Sequence, residues 1–330
     1  MRNRPPREPK PYALVDIPQQ APRRTQAVTH QRFSGLTGQL KLAITVVSEY
    51  LFVGSGAFRF NPRRTRDQPD VWYTFCRTRG RMCIPGTSLK GAIRSIVEVI
   101  SNSCVSQRKS GETIPEPHRP CRFRDPNAHT LCPACRLFGA TGLRGRVWFS
   151  DAVAEPRIKT EVVKIGELWR PHYQATAGKR RFYQVKATPR SDKRPQRNFR
   201  FVEVVCRGGR FLGRCGFENV CRAELGLILS ALGLSDSRDG QLQTAFTPKL
   251  GGGKPRCLGA ARIEVVEARI LDPAGGGILG YVELRGDELR QFLSNCLRAC
   301  REEGMLHRPS WDQLVAGLQP RTGSCPKEVY

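Results

Sequence analysis

Acidic residues are scarce in this chain. Its 330 residues carry 55 Lys and Arg against 29 Asp and Glu, a formal net charge of +26. A field of that sign attracts polyanions. Long apolar runs are missing too: no stretch approaches the ~20 consecutive apolar residues of a membrane helix. A nucleic acid is therefore the expected partner, and a membrane is not. The five histidines are too scattered for a Ser-His-Asp or Cys-His arrangement to stand out. The phosphate-loop pattern G-x-x-x-x-G-K-[ST] is absent, which removes nucleotide hydrolysis of that type. The start "MRNRPPREPK" has no apolar run behind it of the kind a secretion signal carries.

Cysteine, by contrast, is plentiful. Thirteen thiols in a chain read as unsecreted point to a reduced, cytoplasmic setting, with some of them on metal, rather than to a disulfide scaffold. Residues 1–32, with six prolines and several arginines, read as a flexible basic arm. Residues 33–320 read as one domain and 321–330 as a loose tail.

Within that domain, Leu40, Leu42, Ile44 and Val46 alternate as a half-buried strand. Leu89, Ala92, Ile93, Ile96, Val97 and Ile100 form one helical stripe, with Thr87 or Ser88 as the expected N-cap after Pro85-Gly86. "GRVWFSDAVA" (145–154) reads as a strand. Residues 198–220 follow as strand, turn and strand, then a helix near 221–234 and a strand within 251–271. The order strand, helix, strand, strand, helix, strand predicts an α+β fold with a ferredoxin-like, RRM-like core. Two stretches interrupt it, 104–138 and 155–200.

The first interruption has little apolar periodicity and needs fixing by something other than a core. Cys132-Pro-Ala-Cys135 is a C-x2-C knuckle, and His118-Arg-Pro-Cys121 is an H-x2-C pair ten residues upstream. Two such pairs suit tetrahedral structural zinc. The expected ligands are His118, Cys121, Cys132 and Cys135, with His129 or Cys104 as substitutes for His118. The second interruption has a net charge of +10 over 157–200, with Trp169, Tyr173, Phe182, Tyr183 and Phe199 interleaved among the cations. That mixture suits single-stranded RNA, whose bases stack on rings while cations follow the phosphates. Lys179, Arg180 and Arg181 are the candidate contacts.

Two further stretches suit phosphate. "PGTSLKG" opens a helix with hydroxyls and free amides, near Lys90 and Arg94. "GGGKPRCLG" allows close backbone approach at Gly251, Gly252 and Gly253 and adds the charge of Lys254. Candidate catalysts are Asp67 and Asp70, in the basic loop after the first strand, where a carboxylate can hold a divalent ion such as Mg2+ for phosphodiester cleavage.

"IPGTSLKGAIR", "CPACRLFG" followed by "GRVWFSDA", "GFENVCRAELGLIL" and "GGGKPRCLGAARIEV" together resemble the RAMP superfamily of CRISPR-associated proteins. The match is to the repeating backbone subunit of type III effector complexes, and "GKRRFYQVK" is most similar to the III-D-related branch. The resemblance implies a modified RRM-like core with a zinc-bearing insertion, and a β-hairpin thumb at 155–200. It implies a filament of copies of this chain along a CRISPR guide RNA, bound with other effector subunits and presenting the guide to complementary target RNA. Gly86, Ser88, Lys90 and Arg94 would meet guide phosphates, and Gly251 to Lys254 would form the family's glycine-rich loop. Type III backbone subunits cleave target RNA through a loop Asp and a divalent metal, the place held here by Asp67 and Asp70; some relatives keep the scaffold without cleavage. Cys257 stands where the family usually has Gly. The alternatives are a metal-dependent endoribonuclease in the same complex and a zinc-stabilised RNA-binding protein unrelated to CRISPR.

Overall fold

A computed structural model describes residues 11–62, 69–107, 112–123, 130–166, 176–188, 199–237, 240–271 and 280–325. The fold is mixed α+β. Its spine is an antiparallel sheet whose strands run, from one edge, Tyr281–Leu284, Ala261–Leu271, Leu36–Val46, Arg210–Val220, Ala152–Ala154, Arg81–Ile84 and Arg77–Thr78. Val147–Phe149 shares the Arg210–Val220 strand. The alternation expected in the first strand is present: Leu40, Leu42, Ile44 and Val46 are all buried.

Among the described residues five α-helices accompany the sheets: α1 (Gly86–Ile100), α2 (Pro133–Phe138), α3 (Arg222–Ala231), α4 (Gly286–Glu302) and α5 (Arg308–Leu318). Helix α1 buries Leu89, Ile93, Ile96, Val97 and Ile100, the stripe its periodicity predicts. Each such side chain taken from water contributes about 1.5–3 kcal/mol. Helix α3 starts at a reciprocal cap, in which Cys221 Sγ accepts from Glu224 N–H and Glu224 accepts from Cys221 N–H. No helix among the described residues is long and apolar enough to cross a membrane.

The N-cap of α1 differs from expectation. The helix begins at Gly86 after Pro85, with no cap from Thr87 or Ser88. Instead Asp151 Oδ1 accepts from Gly86 N–H at 2.9 Å. The expected strand 145–154 breaks at Ser150-Asp151, and this break delivers the carboxylate to the helix end, where the macrodipole favours negative charge. Gly86 is also pressed onto the next segment, since a Cβ there would lie 2.1 Å from Phe149 O.

Three corrections concern the ends and the cysteines. From residue 11 the expected flexible arm is built into the fold: Tyr12–Asp16 pairs with Lys179–Tyr183, and Thr25–Gln26 pairs with Thr130–Leu131. The tail is held as well, because Arg321–Ser324 pairs with Lys186–Thr188. Cys257 and Cys325 form a disulfide, so the expectation of thiols without disulfides fails at this pair.

A second sheet carries the 155–200 excursion. Its strands run Thr160–Ile165, Arg200–Cys206, Val71–Phe75 and Gly54–Phe60. Thr160–Ile165 and Arg200–Cys206 pair antiparallel from Thr160↔Val205 to Ile165↔Arg200, a hairpin stem. Trp169 and Tyr173 lie outside the described residues.

Candidate metal centre and RNA-binding cavity

Two polar sites flank helix α1. The first lies past its C-terminal end, where Cys104, Cys121, Cys132 and Cys135 gather with all four Sγ atoms within 4.8 Å of one another, every residue buried. Cys104 Sγ is 3.2 Å from Cys135 Sγ and 3.5 Å from Cys132 Sγ. Four sulfurs at about 2.3 Å from a central ion stand roughly 3.8 Å apart in a tetrahedron, so the cluster fits a metal ion. Hydrogen bonding among the four sulfurs raises Cys104 and lowers Cys121.

The local chain explains the gathering. Cys132 is the N-cap residue of α2 and Cys135 lies in its first turn. Ser103 Oγ accepts from Ala134 N–H at 3.0 Å, which ties the segment after α1 to the knuckle.

His118 is not in the cluster, and this corrects the expected ligand set. It is fully buried, with Nδ1 3.1 Å from Ser103 O and Nε2 2.9 Å from Pro18 O. Both ring nitrogens face carbonyls, so neither lone pair is turned toward a metal. Cys104 takes the fourth corner; His129 lies outside the described residues.

The second site is a cavity of about 690 Å³ between the outward turns of α1, the glycine loop and the Lys179–Tyr183 strand. Ser88, Arg94, Arg180, Gly251, Gly252 and Lys254 all line it. Six residues singled out from three separate segments of sequence are therefore brought together. Glu98, which the sequence pattern did not single out, organises them. Its carboxylate accepts from Arg94 Nε at 3.0 Å and from an Arg180 guanidinium nitrogen at 3.3 Å. Arg180 also donates to Ser95 Oγ, and Arg94 reaches the other site, 3.6 Å from Cys135 Sγ.

The glycine loop sits close to Phe52, between the Tyr50–Leu51 and Gly54–Phe60 strands. Gly252 N–H donates to Phe52 O at 2.8 Å, and a Cβ on Gly251 (φ +70°) would lie 2.0 Å from that oxygen. Only glycine fits there. Cys257, at the end of the loop, has φ +64°. That left-handed backbone favours glycine and strains other residues. Lys254 is pushed down by burial, and Lys249, also buried, is pushed down to about 7 by burial and by the charge of Lys254. Lys249 Nζ donates to Leu258 O at 2.8 Å. With Arg181 and Lys254 it lines a smaller adjoining cavity of about 140 Å³. A basic residue two positions before Gly251 is the signal that would have pointed to it.

Other expected contacts fall elsewhere. Gly86 is occupied by Asp151 and Phe149, as above, and Lys90, Lys179 and Gly253 are not among the cavity's lining residues. Lys90 is pushed down by burial, reinforced by the charge of Arg94. Lys179 is exposed and pairs with Asp16 at 3.1 Å. Arg181 lies in the same strand, buried, in the smaller cavity. Asp70 is exposed, and its carbonyl accepts from Asn61 N–H. Asp67 lies outside the described residues.

A family model for the RAMP superfamily matches residues 43–262. That span is two thirds of the chain and contains both sites. The chain belongs to the RAMP superfamily. The family is associated with CRISPR RNA-binding effector complexes, which agrees with the cationic cavity of this RAMP protein. Among curated proteins nothing matches the chain.

Proposed function

We propose that this RAMP protein is a guide-RNA-binding backbone subunit of a type III, III-D-like effector complex, assembling in several copies along the guide and presenting it to complementary RNA. The cavity carries the reading. Arg94, Arg180 and Lys254 converge on one opening beside a glycine loop, an arrangement suited to a sugar-phosphate backbone rather than to base edges. Sequence specificity then comes from base pairing, with the protein reading shape and charge. The core is read as ferredoxin-like, since its strands of first to fourth rank, Leu36–Val46, 147–154, Arg210–Val220 and Ala261–Leu271, lie in the order fourth, first, third, second. The domain is read as single and as taking in the paired segments at both ends, Tyr12–Asp16 and Arg321–Ser324, with 104–138 a zinc-bearing insertion and 155–200 the thumb. Zinc is the ion favoured by four buried thiolates.

The test is RNA binding by the purified full chain across a salt series, using single-stranded guide-like RNA. Affinity should fall steeply with salt, and substituting Lys254 should make the fall shallower by about one phosphate contact. RNA binding that is weak and unchanged in Lys254→Ala and Arg180→Ala would overturn the reading. Cleavage of complementary RNA with magnesium, lost in Asp70→Ala or Asp67→Ala, would move it to the nuclease alternative.

A further inference from the structure

The Gly54–Phe60 and Val71–Phe75 strands form a ribbon whose apolar face continues beyond the core that should cover it. Phe75 is 1% exposed, stacked on Phe211 with ring centres 6.0 Å apart. Two residues further out on the same face, Tyr73 is 39% exposed, and its cross-strand partner Phe58 is 62% exposed. Phe60, next on that face and opposite Val71, is 69% exposed. Three aromatic rings thus stand in solvent on one ribbon face. The Arg200 guanidinium, from the neighbouring strand, lies 5.5 Å from the Tyr73 ring centre.

The ribbon is shaped to present them. Gly54 pairs with Phe75 and Phe58 with Tyr73, so two extra residues bulge out of the first strand. The bulge is pinned by Ser55 Oγ and Thr74 Oγ1, 2.7 Å apart, and by Ala57 N–H donating to Ser55 Oγ at 3.0 Å. Pinned bulges of this kind re-aim the side chains beyond them. The ribbon also begins at the cavity, because Gly54 is one of its lining residues. Phe58 and Phe60 lie roughly 10–20 Å further along the strand.

We propose that Phe58, Phe60 and Tyr73 form a stacking platform for the bases of a single RNA strand whose phosphates lie in the Arg94–Arg180–Lys254 cavity. The proposal rests on the RNA-binding reading above. Phe58 and Phe60 are spaced roughly 6.8 Å along the strand, at about 3.4 Å per residue, which leaves the thickness of one base between their rings. Aromatic faces accept any base, so the platform adds affinity without sequence preference. Arg200 supplies a cation beside Tyr73, so the ribbon pairs aromatic faces with positive charge, the combination that a single RNA strand takes.

The experiment measures binding of an oligouridine containing 5-iodouridine to the full chain, by titration and by photocrosslinking. Phe58→Ala/Phe60→Ala should bind about tenfold or more weakly with an unchanged salt slope, and crosslinks in the wild type should map to Phe58, Phe60 or Tyr73. Phe58→Trp/Phe60→Trp should restore binding, and the double Leu variant should not. Full binding by the Leu variant, or by the Ala variant, overturns the platform. So does an Ala variant that changes only self-association. In each of these cases Lys254→Ala still weakens binding if the RNA reading holds. Failure of wild-type protein to bind RNA at all overturns both.

Discussion

The two sites on α1 are built on opposite plans. At the C-terminal end, four buried sulfurs meet each other and the guanidinium groups of Arg94 and Arg24. On the outward turns, Arg94 and Arg180 share the Glu98 carboxylate, and Lys254 lines the same open cavity. The cysteine corner satisfies its own chemistry once an ion is present, so it works as a permanent clamp. The cavity is left with more positive than negative charge, so it is completed only by an anion from outside. Arg94 belongs to both, hydrogen-bonded to Glu98 and within reach of Cys135 Sγ.

The largest effect tests the clamp. Cys104→Ser and Cys132→Ser should each abolish metal binding by the cluster and lower Tm by about 10 °C or more, because a structural metal ion supplies folding free energy directly. His118→Gln should keep a full equivalent of metal by elemental analysis. Metal loss in His118→Gln with retention in Cys104→Ser would reverse the ligand assignment made here.

Next is the carboxylate that the cavity's arginines share. Glu98→Ala leaves two guanidinium groups without it and should cost about 3–5 kcal/mol in denaturant unfolding. Added RNA should stabilise this variant more than the wild type, because phosphate replaces the missing charge. Equal stabilisation would mean that the arginines do not face the ligand. A smaller loss should follow reduction of Cys257–Cys325, which closes a sequence separation of 68 residues. Chain-entropy reasoning sets a ceiling of about 4 kcal/mol, read as a lower Tm with reductant that Cys325→Ser reproduces.

The smallest effect is a crossed pH dependence. Lys249 is held near 7 in the folded chain, below the free amine, so folded protein binds fewer protons than unfolded protein above that value. Its burden on stability is greatest below pH 7 and lifts as pH rises toward the ordinary lysine range. RNA binding has the opposite sign, since phosphate favours the charged amine. Affinity should fall severalfold between pH 6 and about 8.5 while stability rises. Lys249→Met should flatten both curves.

Much of this was legible where the signal was local. The α1 stripe, the first-strand alternation, the Cys132–Cys135 knuckle and the glycine loop all announce themselves within a few residues, because periodicity and turn chemistry are short-range. What was missed depends on partners distant in the chain. Cys104 was one of two substitutes for His118, and the sequence could not choose between them, since only the turn after α1 brings it onto the knuckle. Asp151 caps a helix that starts 65 residues earlier. Glu98 reads as one more polar position on a helix until Arg180 arrives from the far side of the 104–138 insertion. The Cys257 disulfide needed the path of a tail that composition describes as loose.

The strand Tyr12–Asp16 has a consequence for the order of events at the ribosome. It is made before either of its partners, since Tyr12 pairs with Tyr183 and Asp16 N–H donates to Gln313 in α5. At about 5–20 residues per second, the first partner follows roughly 10–30 s later and the second roughly 15–60 s later. Until the first arrives the strand has neither neighbour. The central antiparallel strands can begin to associate before it docks, so a stretch made before its partners is secured only after them.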